Sequence, residues 1–173
     1  MKLFCLRQII GLVFLPWFLH AHTLQEMYNQ AIPGLGYDRL IELERDSIYT
    51  GGLIISDESV GIRGQGALID LQGSSISVNG ESSIDIDGCI ILNGYNGLYA
   101  QDDVTARISR CTFYQNDIGI HFMSEYGYIE VVNTILTNNF SYGFACDERS
   151  MRVLHYIDAY QNLLGDYMEW CPT

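Results

Sequence analysis

Four segments of this chain carry one signature, and that repeat constrains the fold more than any other feature. Aligned on glycine they read GCIILNGYNGLYAQDD, RCTFYQNDIGIHFMSE, NTILTNNFSYGFACDE and IDAYQNLLGDYMEWCP. The anchors are Gly97, Gly119, Gly143 and Gly165, at spacings of 22, 24 and 22 residues. An Asn precedes each anchor by three or four residues: Asn93, Asn116, Asn139 and Asn162. A fixed period of this length means a stack of like units, each burying its apolar face on its neighbours. Leucine-rich repeats share the period but need leucines at fixed positions. Here the apolar positions mix Ile, Val, Phe, Tyr and Cys in short alternating runs such as SSIDIDG, with Ile84 and Ile86 facing one way and Asp85 and Asp87 the other. Alternation with period two is strand chemistry. Short strands joined by Asn and Gly turns, stacked on copies of themselves, make one coil of a parallel β-helix of about 22 residues per turn, an all-β solenoid.

The coil accounts for its own residues. A sharp corner needs left-handed backbone, which Asn tolerates and Gly adopts without steric cost. Coils stack about 4.8 Å apart, so Asn side chains at one corner reach each other amide to amide along the axis. Cys89 and Cys111 each stand eight residues before their glycine and so share one column. They read as small apolar fillers of an internal stack, with a disulfide as the alternative. Cys146 and Cys171 fall in different columns, so pairing them requires the last coil to depart from the repeat. Upstream, apolar runs at Leu40–Leu43, Leu53–Ile55 and Leu68–Leu71 alternate with Gly and Ser turns. Gly61, Gly64 and Gly66 of GIRGQG precede no helical pattern and read as turns rather than a phosphate loop. Before them Leu24, Met27, Tyr28 and Ile32 recur at helical spacing up to Pro33. Residues 24–36 are therefore expected to form a short helix capping the first coil, with the solenoid over residues 37–173.

The first 23 residues carry Lys2 and Arg7, an apolar run from Ile9 to Leu19 and Ala21 as a cleavage residue, the order of a secretory signal peptide. The run is shorter than the roughly 20 residues a membrane span needs. The expected location is therefore secreted, periplasmic or at the cell surface, with no span after cleavage. Removal of the signal leaves seven Arg and no Lys against 21 Asp and Glu, a net charge of −14. Such a chain is repelled by nucleic acid and by anionic membranes. Polyanionic glycans meet the same objection unless a divalent cation bridges. The expected partner is a carbohydrate or another extracellular protein, and the expected state is a monomer.

In YDRLIELERDSIYTGGLII, VGIRGQGALIDLQG, CTFYQNDIGI and TILTNNFSYGF the chain resembles the secreted right-handed parallel β-helix proteins of the pectin-lyase-like superfold, over nearly all of its mature length. The resemblance implies the architecture. It leaves function open, because this fold carries several chemistries and some members with none. Members usually run longer. Here the sequence ends at DYMEWCPT directly after the fourth repeat, so a truncated product is expected ahead of a compact member closed by Trp170 and Cys171.

Catalytic relatives frame the candidate residues. Polygalacturonase-like members need several acids, a His and a basic clamp. Asp102 and Asp103 supply two acids and His121 lies one coil later, but the Gly-His-Gly and Arg-Ile-Lys signatures are absent. Lyase-like members hold calcium on acids, for which Asp85, Asp87, Asp102 and Asp103 are candidates, and abstract a proton with a base such as Arg107 or Arg110. Arginine is a poor base at neutral pH. A copper site would need soft ligands, and His121, Met123, Cys146 and His155 are too sparse for one. Tyr95, Tyr99, Tyr114, Tyr126, Tyr128, Tyr142, Tyr156, Tyr160 and Tyr167 suit sugar stacking, and equally suit strands. The Asp102–Asp103 pair recurs in weakened form as Ser124–Glu125 and Glu148–Arg149, so it marks a corner of successive coils. A solvated acidic ridge is the first reading of that corner, and a weak calcium site formed by Asp102, Asp103 and Glu125 the second. The sequence as a whole points to an exported scaffold that contacts carbohydrate or an extracellular partner without catalysis. The alternative is a lyase or glycosidase acting on uronate polysaccharide near Asp102, Asp103 and Arg107. What separates the two is whether three acids, or acids with a perturbed Arg, converge on one face.

Overall fold

The computed structural model describes residues 22–169 and 171, and shows a parallel β-solenoid. Its coils have three faces. The first face is built from Tyr37–Glu42, Ser59–Arg63, Ser83–Asp87 and Thr105–Ser109, together with the opening halves of Tyr128–Thr137 and Met151–Tyr160. The second is built from Ile48–Thr50, Leu68–Asp70, Ile90–Leu92 and Thr112–Tyr114 with the closing halves of those two long strands. The third is a six-stranded sheet from Leu53–Ser56 to Gly165–Tyr167, one strand per coil. Nearly every pairing joins a strand to its counterpart one coil on, in parallel register.

Alternation sets the core. In Ser83–Asp87 the isoleucines Ile84 and Ile86 are buried and the flanking Ser and Asp are not. The inward columns run coil to coil: Ile86, Ile108 and Val131 in one, Leu98, Ile120 and Phe144 in another. Cys89 and Cys111 are buried, adjacent and unbonded in one such column, as the filler reading expects.

The corners are left-handed, but the anchors are not what makes them so. Positive φ falls on Gly88, Arg110, Asn133 and Tyr156 at the first corner and on Asn93, Gln115, Asn138 and Gln161 at the second. Of the four Asn anchors only Asn93 has this conformation, at φ 56°. Asn116, Asn139 and Asn162 stand one position later and are buried as a ladder. Asn116 Nδ2 donates to Asn139 Oδ1 at 3.3 Å, and Asn139 Nδ2 to Asn162 Oδ1 at 2.8 Å. The same oxygens accept the backbone N–H of Asn116 and of Asn139, each at 3.0 Å. At the top of the ladder the Gly94 N–H donates to Asn116 Oδ1 at 2.8 Å, so Gly94, not Asn93, is the ladder's neighbour in that coil.

The glycine anchors have a different cause as well. Gly97, Gly119 and Gly143 lie in extended strand where coils approach most closely. A Cβ on Gly119 would sit 2.6 Å from the Gly143 carbonyl oxygen, and one on Gly143 2.7 Å from that of Asp166. Gly165 pairs with Tyr142 and so stands outside that column. The last coil therefore does depart from the repeat. There Cys146 and Cys171 form a disulfide with Cα atoms 5.8 Å apart, which the column spacing alone did not bring together. Trp170 lies outside the described residues.

The capping helix is shorter than its expected span. It runs Leu24–Gln30, started by a capping box in which Thr23 Oγ1 accepts the Glu26 N–H and Glu26 accepts the Thr23 N–H. Pro33 forbids its continuation and extends Ile32. Ile32–Gly34 instead folds back antiparallel on Tyr37–Glu42. Leu24 is fully buried over the first coil, and the helix is clasped down where Tyr28 Oη donates to Glu58 at 2.5 Å and Arg39 Nε to the same carboxylate at 2.9 Å. Of the expected signal segment, residues 1–21 lie outside the described residues. His22 and Thr23 pair with Tyr49 and Thr50, so the fold includes both residues after Ala21.

Candidate functional site

The candidate acids separate into two places. Asp102 is a corner residue at φ 68°, in the column of Asp57 and Gly80, and its carboxylate accepts the Gly80 N–H of the preceding coil at 3.1 Å. Asp57 does the same for the Glu81 N–H at 3.1 Å. Glu125 is taken by an ion pair with Arg149. Asp103 is exposed beside them, and the three acids share an open depression with Tyr99, Gln101, Met123 and Tyr126. Among the described residues no cluster of His, Cys, Asp and Glu is arranged to hold a metal ion. Asp102 is thus occupied by structure, and Arg107 is not beside it.

Arg107 lies on the first face, whose register collects chemistry the linear sequence scatters. Asp85, Arg107 and Glu130 are consecutive members of one outward column, and Arg63, Asp87 and Ser109 belong to the next. Together with Tyr37 and Arg110 they line a groove of about 470 Å³. Three acids do converge here, each already held by a donor. Tyr37 Oη donates to Asp85 Oδ2 at 2.5 Å. Ser109 Oγ donates to Asp87 at 2.7 Å, and Arg110 pairs with its other oxygen. Arg107 Nε lies 3.3 Å from Glu130 Oε2. The hydrogen bond to Asp85, with burial second, raises the Tyr37 phenol above its ordinary value.

Tyr37 reaches Asp85 only because Gly61 lies between them. A Cβ on Gly61 would meet the Tyr37 ring at 2.7 Å, so the glycine lets the ring lie flat on the sheet. Arg45, Arg63 and Arg110 line the adjoining depression, so four of the chain's arginines border one strip of an otherwise acidic surface.

Sequence reasoning named Asp85, Asp87, Arg107 and Arg110 but missed Tyr37, Arg63 and Glu130. Glu130 was within reach, since Asp85, Arg107 and Glu130 follow each other at 22 and 23 residues. Tyr37 lies outside the repeat and gives no such signal. His121 is on the third face, edge-on to Tyr99 with ring centroids 5.3 Å apart and its Nδ1 3.2 Å from Asn96 Oδ1, and burial holds its pKa below the ordinary value. The tyrosines proposed for sugar stacking are spread over all three faces: Tyr128 is on the first, Tyr114 on the second, Tyr99 on the third.

A solenoid with a polar groove across parallel strands defines a class, and the chain belongs to a family of that class. The family model for the right-handed β-helix region matches residues 50–163, more than half of the sequence. No curated protein and no solved structure matches the chain. Among the described residues no helix is long and apolar enough to cross a membrane.

Proposed function

We propose that this chain is an exported β-helix binding protein that contacts carbohydrate along the first face without catalysis. The observation that carries the reading is the pairing inside the groove. Asp85, Asp87 and Glu130 are each held by Tyr37, Arg110 or Arg107, which fixes planar polar groups in place at little further entropy cost. Sugar hydroxyls donate and accept at once, and such a row offers both kinds of partner. The arginine strip offsets the acidity of the rest of the chain, so a carboxylated sugar is not repelled there. The same pairing argues against turnover. An acid serving as general base or calcium ligand would first have to leave its donor, and arginine is a poor base at neutral pH.

The second reading is a lyase acting on uronate polysaccharide, and one observation favours it: three acids and three arginines line one groove. Purified mature protein passed over immobilised neutral and uronate polysaccharides, with and without calcium, separates the two. The expected result is retention without unsaturated products or new reducing ends, weakened at least tenfold by Arg107→Ala with Arg110→Ala. Release of product establishes the lyase, and failure to bind any glycan removes the carbohydrate reading.

A further inference from the structure

Among the described residues, every charged side chain of the first-face groove has a partner except one. Asp85 accepts from Tyr37, Arg110 pairs with Asp87 and Arg107 with Glu130. Arg63 stands in register between Glu42 and Asp87 on the neighbouring coils, yet forms an ion pair with neither. Arg45, at the corner that follows Tyr37–Glu42, forms none either. Carboxylates are not scarce, since the chain has 21 Asp and Glu against nine Lys and Arg. The two guanidiniums are left over beside one feature of the fold.

That feature is a gap in the first corner. Arg110, Asn133 and Tyr156 carry side chains there, but the corner position of the coil before them is Gly88, and one coil earlier again the turn contains Gly66. Both glycines have positive φ, at 68° and 98°, so the backbone itself selects them and leaves the corner bare. The result is a notch of about 530 Å³ bordered by Arg45, Arg63 and Arg110, with Glu42 and Asp87 as its acids and Ile90 on its second-face side. Glu44 and Asp46 flank Arg45 in sequence but do not line the notch. Three guanidiniums against two carboxylates leave one positive charge, on a chain whose formal net charge is −12. Arg63, Asp87 and Arg110 line the groove as well, so the notch opens from it.

We infer that this notch seats one singly charged oxyanion group, a carboxylate or a sulfate ester, borne by the glycan that lies in the adjoining groove. The inference rests on the carbohydrate reading for the glycan and adds to it a place for the charged substituent. One such group matches the surplus charge, and a guanidinium presents paired N–H donors that suit either oxyanion. Arg63 and Arg45 have no internal carboxylate to give up on binding, whereas Arg107 and Arg110 do. Selectivity for a charged over a neutral sugar is therefore carried by Arg45 and Arg63.

Retention on immobilised uronate, sulfated and neutral polysaccharides tests it. The unaltered chain is expected to be held at least tenfold more strongly by a charged column than by the neutral one, and the stronger of the two charged columns names the source of the oxyanion. Arg45→Gln with Arg63→Gln is expected to remove that tenfold preference, leaving retention on the neutral column and the far-UV circular dichroism spectrum unchanged. Ile90→Glu, which puts a carboxylate of the chain itself into the notch, is expected to do the same with every arginine in place. Equal retention on neutral and charged columns overturns the inference and leaves the carbohydrate reading standing, as does a preference that survives both variants. Retention on no column removes the carbohydrate reading. The notch is then judged on inorganic sulfate at matched ionic strength: a rise in melting temperature that the double arginine variant lacks sustains an oxyanion seat, and no rise overturns it.

Discussion

Replacing Asn139 by Ala removes the centre of the buried amide ladder, and its cost can be worked bond by bond. Asn139 Oδ1 accepts from the Asn116 N–H at 3.0 Å and from Asn116 Nδ2 at 3.3 Å, while Asn139 Nδ2 donates to Asn162 Oδ1 at 2.8 Å and to the Phe113 carbonyl at 3.4 Å. Most of these partners keep another bond after the change. Asn116 Nδ2 still reaches the Ile91 carbonyl, and Asn162 Oδ1 still accepts the residue 139 N–H. The Asn116 backbone N–H loses its acceptor in a fully buried position, which costs about 1–3 kcal/mol by itself. The net worth of the remaining bonds brings the total to roughly 3 kcal/mol. Asn93→Ala, at an exposed corner with one bond to Asp70, should cost about 1 kcal/mol, because alanine lacks the short polar side chain by which asparagine tolerates left-handed backbone. Asn93→Gly should recover that loss. Urea denaturation followed by far-UV circular dichroism measures all three. Equal costs for Asn139→Ala and Asn93→Ala would refute the assignment of separate duties to the two asparagines.

The other expectations concern the anchors, the cap and the last coil. Gly119→Ala should destabilise by about 2 kcal/mol or more through the clash with the Gly143 carbonyl, whereas Gly165→Ala, whose nearest neighbour is 3.2 Å away, should stay within about 1 kcal/mol; the same urea titration compares them. The Arg39 hydrogen bond, with that of Tyr28 second, holds the Glu58 carboxyl below its ordinary value, so its stabilising contribution is complete above the unfolded-state pKa and is lost as pH falls through the folded one. The stability gap between the unaltered chain and Glu58→Gln should accordingly be widest near neutrality and close below about pH 4, read as melting temperatures across a pH series. Reducing the Cys146–Cys171 bond, which closes a 25-residue separation, should lower stability by about 3 kcal/mol and expose the last coil to protease first, whereas Cys89→Ala with Cys111→Ala should leave the response to reductant unchanged.

The periodic part of this molecule was legible because repetition multiplies a weak signal. One Ile-Asp-Ile run is ambiguous, but the same alternation every 22 or 23 residues leaves only a stack of coils. The reasons behind the conserved-looking signature within the chain were harder to read. Asn and Gly both suit left-handed corners, so sequence assigned the corner to the anchors, while the structure puts it on Gln115, Asn138 and Gln161 and keeps Asn116, Asn139 and Asn162 for the ladder. A glutamine at φ near 55° has no special propensity to announce it; the stack imposes the conformation. Gly119 is likewise fixed by a carbonyl from the next coil, a contact with no trace in local sequence. The site was half legible for the same reason. Asp85 and Arg107 sit in the repeat, but Asp102 was paired with Arg107 because they are close in sequence, and in a solenoid five residues carry the chain round a corner to another face.

Register therefore does two things to the first face. It brings Asp85, Arg107 and Glu130 into one column, where residues far apart in sequence become neighbours about 4.8 Å apart. The same spacing brings two of the three acids within reach of a donor from an adjoining coil: Asp87 meets Ser109 and Arg110, and Glu130 meets Arg107. A column of alternating charge is thus self-neutralising by construction. To leave an acid free for chemistry, the repeat would have to place two acids in succession with no donor beside them. Asp102 and Asp103 are such a pair in sequence, yet they fall at a corner, where the Gly80 N–H claims the first. Rigid, paired polar groups on a flat sheet suit recognition of a ligand's hydroxyl and carboxylate groups better than transfer of its protons, which is why the reading rests on the face at Asp85 and Arg107 rather than on the acidic pair.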